Sequence, residues 1–348
     1  MQLLSSSSSG DVTRFAFNNG LVAVVRPNPF IPAIAIRGSF RGGASLESDG
    51  DSGLTKLVAM LLKSGTETRS AIQIAEELDF IGSSISFTAN HDAVNFSLTS
   101  LSKHFDRSFA ILADLLIRSV FPADEIERAR RLALADIKQK ADQPMQIAWD
   151  VCSESVFQDH PYRRSIDGSA TTIDTFTRED VVRGYRNIVS SNRLILSIVG
   201  DFEPTALIQK LIDQFAEMNT SKSSMPVLSA PTSLQNKKVM LVERDLTQAN
   251  ICFGNISCKR NVPDYYATVL MNYILGGSGL TSRLTHQIRT QQGLAYSVYS
   301  QLVRREAGGI FTVRMQTKTD NTVKATGLIL DEIHRMQNEM VAESELAL

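Results

Sequence analysis

The side chains that most often carry out chemistry are present in this sequence but are not grouped along it. The five histidines never pair at the spacing of metal ligands: His91, His104, His160, His286 and His334. No G-x-S-x-G turn presents a serine nucleophile. The three cysteines contain no C-x-x-C pair, and we interpret them as buried free thiols: Cys152, Cys252 and Cys258. Neither a serine hydrolase nor a local cysteine-histidine metal motif is therefore predicted.

A glycine cluster in the second half is the most unusual local feature. It consists of Gly276, Gly277, Ser278 and Gly279. It is not a phosphate-binding loop, because no Lys-Ser/Thr pair follows its last glycine. We interpret it as a turn that leads into a helix.

The composition is that of a globular protein without a charged surface for polyanions. The chain has 348 residues, of which 43% are hydrophobic and 21% charged, and its formal net charge is −1. No nucleic-acid partner is therefore expected. The longest apolar stretch, Leu57–Leu62, is too short to span a membrane, which predicts a soluble protein of the cytoplasm or periplasm. Residues 1–10, with five serines and a glycine, are expected to form a flexible leader.

The elements that must position any site alternate between strands and helices in the first half. Hydrophobic periodicity predicts strands at 21–27, 33–38, 85–89, 93–99 and 194–200. It predicts helices at 54–62, 72–81, 103–120, 123–141, 177–189 and 204–215. The resulting order is typical of an α+β domain.

The same pattern recurs in the second half. Val239–Arg244 is similar to the first strand, with Val242 standing 217 residues after Val25. Ile329-Leu-Asp-Glu-Ile is similar to Ile111-Leu-Ala-Asp-Leu at an offset of 218 residues. We therefore predict two copies of one α+β domain.

The expected domain boundaries follow from this repeat. The first domain is predicted at residues 11–217 and the second at 237–348, joined by a serine-rich linker at 218–236. The second copy has no counterpart of residues 131–215, so we expect it to be truncated in this chain. A sheet edge left open in this way would attract a partner strand.

The segment Gly53-Leu-Thr-Lys-Leu-Val-Ala-Met-Leu-Leu-Lys-Ser-Gly-Thr66 resembles the signature helix of the pitrilysin/insulinase family of zinc peptidases, which includes mitochondrial processing peptidase. In active members this helix carries H-x-x-E-H, whose two histidines bind zinc and whose glutamate acts as general base. The matching positions here are Lys56, Ala59 and Met60. The resemblance places the third zinc ligand at Asp136, on a helix that includes Ile126–Asp136.

These substitutions remove the chemistry of the motif. A protonated lysine has no lone pair to donate, a thioether is a poor zinc ligand, and alanine cannot accept a proton. We therefore predict no metal in this chain and no peptidase activity by this chain alone. We also hypothesise that the ammonium of Lys56 pairs with Asp136, whereas Asp167 is expected to be solvated.

A second resemblance lies between Leu275 and Val298. This segment is very similar to the part of the family's C-terminal domain in which an arginine and a tyrosine seven residues apart assist the active site, and Arg289 and Tyr296 keep that spacing. The resemblance implies that the pair stabilises negative charge developing on the scissile carbonyl. Taken singly, the two residues also suit a solvated helix-end cation and an amphipathic strand residue. His160-Pro-Tyr resembles a structural turn of the family.

The resemblance implies two similar α+β domains, each a mostly antiparallel sheet covered by helices, that enclose a cleft. It implies the non-catalytic subunit of a heterodimeric processing-type peptidase, with zinc on a homologous partner subunit. This chain would contribute Arg289, Tyr296 and part of the cavity that binds peptide or unfolded polypeptide. The peptide substrate would touch the turn formed by Gly276, Gly277, Ser278 and Gly279. The alternative is a structural or binding homologue, like the core subunits of a respiratory complex, with no role in proteolysis. An active metallopeptidase with an unusual site is a third alternative.

Overall fold

The computed structural model describes residues 1–220 and 225–347, which fall into two compact units. Unit 1 contains Met1–Ile137 and Arg164–Pro226, and unit 2 contains Lys138–Arg163 and Val227–Leu348. The expected continuous first domain at 11–217 therefore differs from the structure, because residues 138–163 fold with the second unit. Part of the expected linker, residues 221–224, lies outside the described residues, as does Leu348.

Unit 1 is built on a seven-stranded sheet in the order β1-β2-β3-β7-β4-β6-β5. Its strands are β1 (Leu3–Ser9), β2 (Val12–Phe17), β3 (Val22–Pro27), β4 (Ala33–Arg41), β5 (Ser84–Ala89), β6 (Ala93–Leu101) and β7 (Leu194–Gly200). Neighbouring strands are antiparallel except for β3 and β7, which are parallel. The mostly antiparallel sheet implied by the resemblance is confirmed in this unit.

The expectation of a flexible leader at residues 1–10 is wrong for most of the segment. Leu3–Ser9 forms β1 and pairs with β2 along its length. All seven residues of β1 are exposed, so the strand is held by its backbone ladder and not by side-chain burial. Hydrophobic periodicity cannot reveal such a strand, because its side chains do not contribute to a core.

The helices of the described residues follow the order that periodicity predicts. They are α1 (Leu54–Leu61), α2 (Ala71–Phe80), α3 (Phe105–Ile117), α4 (Ala123–Ala141), α5 (Pro144–Phe157), α6 (Ala170–Thr175), α7 (Arg178–Ile188), α8 (Pro204–Phe215), α9 (Tyr265–Asn272), α10 (Thr322–Asn338) and α11 (Glu343–Leu346). No helix in these described ranges is long and apolar enough to cross a bilayer.

The core of unit 1 lies between one face of the sheet and the helices. Alternate residues of β4, such as Ile34 and Ile36, are buried and share one apolar cluster with Leu57 of α1 and Leu112 of α3. This alternation follows from the two-residue period of a strand, which sends every second side chain to the same face. The opposite face stays open, as the 41% exposure of Ile195 on β7 shows.

Unit 2 is built on an antiparallel sheet in the order β8-β10-β9. Its strands are β8 (Gln248–Ser257), β9 (Ala295–Val303) and β10 (Gly309–Lys318). Val156 and Phe157 of α5 are buried in one cluster with Ile310 of β10, which explains why residues 138–163 belong to this unit. A second cluster joins Ile329 of α10 to Val313 of β10.

The two units repeat one topology, as the internal repeat predicts. The neighbours β4-β6-β5 in unit 1 correspond to β8-β10-β9 in unit 2, and a long helix follows β6 and β10 alike. Together with the helices, this arrangement is the α+β class expected from the sequence.

The strand expected at Val239–Arg244 is not formed, and these residues are exposed. Its counterpart in unit 1, β3, is flanked by β2 and β7. The described part of unit 2 has no strand equivalent to β2 or β7. Residues 239–244 therefore have no neighbouring strand there with which to form backbone hydrogen bonds.

Candidate functional site

Helix α1 holds the positions that matter most, because three of its residues stand where the family motif has its ligands and base. Lys56, Ala59 and Met60 are spaced i, i+3 and i+4 and therefore lie along one side of the helix. Ala59 is 3% exposed, while Lys56 and Met60 are half-buried. Leu57 and Leu61, both buried, anchor the other side in the core.

The hypothesised ion pair of Lys56 is present, and it includes a second carboxylate. Lys56 Nζ lies 3.2 Å from Asp136 Oδ2 on α4 and 2.6 Å from Asp167 Oδ1. The expectation that Asp167 is solvated is wrong, since its side chain is only 12% exposed. Burial alone would lower the pKa of Lys56, but the two carboxylates raise it above its ordinary value of 10.5. Lys56 is therefore a fixed positive charge.

Asp167 is the site residue that sequence reasoning missed. It lies in the short turn before α6, far from α1 in sequence but beside it in space. An Asp-Gly pair, Asp167-Gly168, is a signal for a turn. It carries no information about which lysine the turn will meet.

Glu47 was also missed, although it fixes the start of the same helix. Its carboxylate accepts hydrogen bonds from the backbone N–H groups of Gly53, at 3.1 Å, and Thr55, at 2.7 Å. Gly53 has no side chain that could cap the helix, so Glu47 supplies the missing acceptor. Burial raises the pKa of Glu47 above its usual value, although these hydrogen bonds oppose that rise.

The residues of this α1 site do not fit a zinc ion. Zinc needs about four lone-pair donors in a tetrahedron, and the two carboxylates that lie beside Lys56, those of Asp136 and Asp167, already accept its hydrogen bonds. Within the described ranges, no group of three or more histidine, cysteine or acidic side chains could hold a metal ion. We therefore derive no step through a metal on this chain.

Arg289 and Tyr296 are brought together in unit 2. Arg289 belongs to a helical segment at Thr285–Gln291, and Tyr296 is the second residue of β9. The guanidinium lies 5.0 Å from the centroid of the phenol ring, a cation–π contact. Tyr296 is 78% exposed, so its phenol faces solvent.

A tight turn sets the distance between these two residues. Gly293 adopts a left-handed conformation with φ +60, and its N–H donates to the carbonyl of Arg289 at 3.1 Å. The bond from Gly293 is the one that defines an αL helix end, and the N–H of Leu294 donates to the carbonyl of Ile288 at 3.0 Å. The helical segment therefore ends at Gln291, two residues after Arg289, and the chain reverses into β9.

The glycine cluster of the sequence lies at the end of another helical segment. Gly276 and Gly277 close the segment Tyr273–Gly277, and Gly279 opens the short turn Gly279–Thr281. Gly276 is buried, whereas Gly277 and Gly279 are exposed. The interpretation as a turn leading into a helix agrees with this geometry, and the peptide contact remains a prediction.

The open face of the unit 1 sheet forms a shallow depression of about 450 Å³. It is lined mainly by polar side chains, including Arg37, Ser86, Asn95 and Ser197. Polar residues alternate with the buried ones on these strands, so the depression is a direct product of the strand period. It is wide and open to solvent.

His160 serves the core of unit 2. Its Nδ1 accepts from the backbone N–H of Tyr162 at 3.1 Å, so the imidazole Nε2–H donates to the carbonyl of Ser229 at 3.0 Å. Tyr162 is fully buried, and its hydroxyl accepts from the N–H of Ala307 at 3.0 Å. The structural role implied for His160-Pro-Tyr is confirmed.

Comparison with family models identifies both halves of the chain. Residues 23–170 match the model described as insulinase, peptidase family M16. Residues 175–348 match the model described as the peptidase M16 inactive domain. Together they cover nearly the whole chain.

Curated relatives and a solved structure agree with these models. An uncharacterized zinc protease of Rickettsia bellii is 28% identical, with 93% of this chain and 78% of that protein covered. The non-peptidase homolog YmxG of Helicobacter pylori is 25% identical over 96% of this chain and 77% of its own length. The crystal structure of a peptidase M16 inactive domain from Pseudomonas fluorescens is 23% identical, covers 97% of this chain and 81% of that chain, and superposes with a TM-score of 0.91. This chain belongs to the insulinase family of peptidases, M16.

Proposed function

We propose that this chain is the non-catalytic subunit of a heteromeric zinc peptidase. The observation that carries the proposal is the ammonium of Lys56 at a metal-ligand position, paired with Asp136 and Asp167. An ammonium there repels a divalent cation, and Ala59, at the position of the family's general base, cannot accept a proton from water. Peptide hydrolysis would therefore need a homologous partner that bears H-x-x-E-H and its zinc.

We further propose that Arg289 and Tyr296 assist the site of that partner. Their contact places a cation and an exposed phenol side by side, and both groups can donate hydrogen bonds to a carbonyl oxygen. In hydrolases, donors aimed at a developing oxyanion lower the barrier for bond cleavage. Such a pair can act on a substrate held by another subunit and needs no metal on its own chain.

The peptide itself would be received as an extended polypeptide. The polar depression on the open face of the unit 1 sheet and the partly exposed loop at Gly276–Gly279 support this role. The name of the Helicobacter pylori relative, a non-peptidase homolog, also supports a non-catalytic chain.

The decisive experiment assembles this chain with a homologous subunit that carries H-x-x-E-H and follows the cleavage of a quenched fluorescent peptide. Arg289→Ala and Tyr296→Phe should each lower kcat by about 10²- to 10³-fold, the usual loss for an oxyanion donor, with a smaller effect on KM. Arg260→Ala and Tyr266→Phe are matched controls on exposed residues of the same unit, and they should leave kcat unchanged.

Two other outcomes would overturn the proposal. Full activity of the assembled pair with both Arg289→Ala and Tyr296→Phe would favour the alternative, a structural or binding homologue. Cleavage by the isolated chain, or one equivalent of zinc that survives gel filtration, would show that this chain has its own active site.

A gain-of-function variant tests the α1 site separately. The triple variant Lys56→His, Ala59→Glu and Met60→His restores the family motif next to Asp136. We expect it to bind zinc at a stoichiometry near one, measured by metal analysis after dialysis, whereas the parent chain binds none. Zinc binding by Ala59→Glu alone would contradict this assignment of the ligands.

A further inference from the structure

Two of the three cysteines meet inside unit 2, although they are far apart in the sequence. Cys152 lies on α5 and Cys252 on β8, and each is half-buried. The sulfur of Cys152 sits over Gly254, where an added Cβ would lie only 2.4 Å from Sγ. Cys252 and Gly254 are two residues apart on one strand and share a face. The missing side chain at residue 254 thus leaves room for the sulfur of Cys152 on the face of β8 that carries Cys252.

A cation lies beside this cysteine pair. Arg314 of β10 stands directly opposite Cys252 in the antiparallel register, so both side chains leave the same face of the sheet. Its guanidinium carbon is 4.0 Å from the ring centroid of Trp149, three residues before Cys152 on α5. Its Nε is buried and has no hydrogen-bond partner among the described residues. The guanidinium therefore places a positive charge near both thiols.

The two thiols differ in acidity. A hydrogen bond from Cys252 lowers the pKa of Cys152, burial opposes this change, and the charge of Arg314 lowers the pKa further. The same hydrogen bond and burial raise the pKa of Cys252. Cys152 is thus the thiol that ionises first, and Cys252 is the thiol that responds to it.

We propose that Cys152 and Cys252 form an oxidisable dithiol whose substrate is hydrogen peroxide. The thiolate of Cys152 attacks one peroxide oxygen, the O–O bond breaks, and hydroxide leaves and takes up a proton to become water, which produces a sulfenic acid. The thiol of Cys252 then loses its proton and attacks that sulfur, the S–O bond breaks, and water leaves as the disulfide forms. Two thiols are oxidised, and one peroxide is reduced to two waters.

The consequence of this reaction would be a covalent link between α5 and β8. Residues 138–163 reach unit 2 from the middle of the chain, and their attachment to its sheet is non-covalent in the dithiol form. The disulfide would fix that attachment reversibly. This inference does not depend on the proposed peptidase role.

Peptide mapping of the full chain after treatment with hydrogen peroxide tests the proposal. Cys152 lies on the tryptic peptide 141–163, whereas Cys252 and Cys258 share the peptide 245–259. The test is therefore run in Cys258→Ser, with free thiols alkylated before digestion without reductant. We expect a linked 141–163/245–259 species lacking two hydrogens, which dithiothreitol separates. Cys152→Ser and Cys252→Ser should each abolish this species.

The fluorescence of Trp149 gives a second readout that requires no variant. It is the sole tryptophan of the sequence and lies one helical turn from Cys152. Peroxide should lower its emission by about half or more, because a disulfide quenches a neighbouring indole, and dithiothreitol should restore the emission. Peptide maps of Cys258→Ser that show only alkylated thiols or only over-oxidised thiols would overturn the proposal, as would unchanged emission of the parent chain together with free Cys152.

Discussion

At the scale of single residues, the positive charge of the α1 site is the ammonium of Lys56 and not a divalent cation. The α1 site of an active relative gathers ligands around a divalent cation, whereas here an ammonium binds two carboxylates, Asp136 and Asp167. The carboxylate of Asp167, 12% exposed, thereby avoids the cost of being buried without a counter-charge, whereas that of Asp136 is 51% exposed. These ion pairs hold the elements of the α1 site together without a metal ion.

Replacing Lys56 by methionine should destabilise unit 1. The substitution keeps the length of the side chain but leaves Asp167, 12% exposed, without its nearest cation. A buried acceptor that loses its partner costs about 1–3 kcal/mol, and we expect that loss in the free energy of unfolding. Urea titration followed by far-ultraviolet circular dichroism measures it.

The control for this variant is Lys63→Met, on an exposed lysine just after the same helix. It should change the free energy of unfolding by less than about 0.5 kcal/mol. Because the pKa of Lys56 in the folded chain is raised above 10.5, its contribution is complete below that pH and is lost as the pH rises through the folded value. Equal stability of the two variants at neutral pH would show that Lys56 is only a solvated charge.

The sequence predicts part of this site and not the rest. The contact between Lys56 and Asp136 follows from the spacing of two family motifs. Asp167 could not be predicted, because its approach depends on how a turn before α6 packs against α1. Periodicity and motif spacing describe residues within an element, and they carry no information about a loop that crosses to another one.

At the scale of elements, a two-pronged ion pair fastens the short helix α11 to unit 2. Glu345 accepts hydrogen bonds from Nε and Nη2 of Arg283 at 2.6 and 2.7 Å. These bonds lower the pKa of Glu345 to about 2, against a small opposing effect of burial. A helix of four residues has little stability of its own, so this contact decides whether it stays docked.

The contribution of Glu345 should disappear in acid. A lowered pKa means that the stabilisation is complete above the ordinary value of 4.5 and is lost as the pH falls towards about 2. Glu345→Gln should therefore be less stable than the parent chain at pH 7, by about 1–2 kcal/mol, and the difference should shrink steadily in that acid range. Urea unfolding followed by Trp149 fluorescence, which reports on unit 2, measures the difference; a gap that does not change with pH would contradict the pairing.

Removal of β1 should have little effect on unit 1. The strand is exposed along its length and pairs with β2 alone. Deleting residues 2–9 should change the free energy of unfolding by less than about 1 kcal/mol. Ile198→Ala in the central strand β7, at a position 0% exposed, should cost about 2–5 kcal/mol in the same urea experiment. A deletion that unfolds unit 1 would show that β1 supports the core.

Elements with a buried face are the ones that the sequence predicts well. The helices expected at 123–141 and 204–215 have these same bounds in α4 and α8. Strands that depend on backbone pairing are predicted poorly: one strand that periodicity does not predict is formed, and one that it predicts is not formed. The exposed serine run forms β1, while apolar Val239–Arg244 forms no strand, because pairing depends on a neighbour that the local pattern does not specify.

At the scale of the whole molecule, the repeated order β4-β6-β5 and β8-β10-β9 implies a graded pattern of protection. Strands with partners on both sides should exchange their amide hydrogens most slowly, and unpaired segments fastest. We expect the slowest exchange in β4, β7 and β10, faster exchange in β1, and the fastest in residues 239–244. Hydrogen exchange with mass spectrometry measures this order, and protection of residues 239–244 would reveal a ladder that the present topology lacks.

The insertion of β7 between β3 and β4 has a consequence for biosynthesis. β3 ends at Pro27 and β4 begins at Ala33, but the strand that lies between them begins only at Leu194. At about 5–20 residues per second, the gap in the sheet stays open for roughly ten to thirty seconds after β3 leaves the ribosome. During that interval α5 has already emerged, although its own sheet has not yet been translated. Because β7 is translated late, the gap in the sheet of unit 1 is filled only late in translation. Chaperones thus have a defined period in which to act on the open sheet.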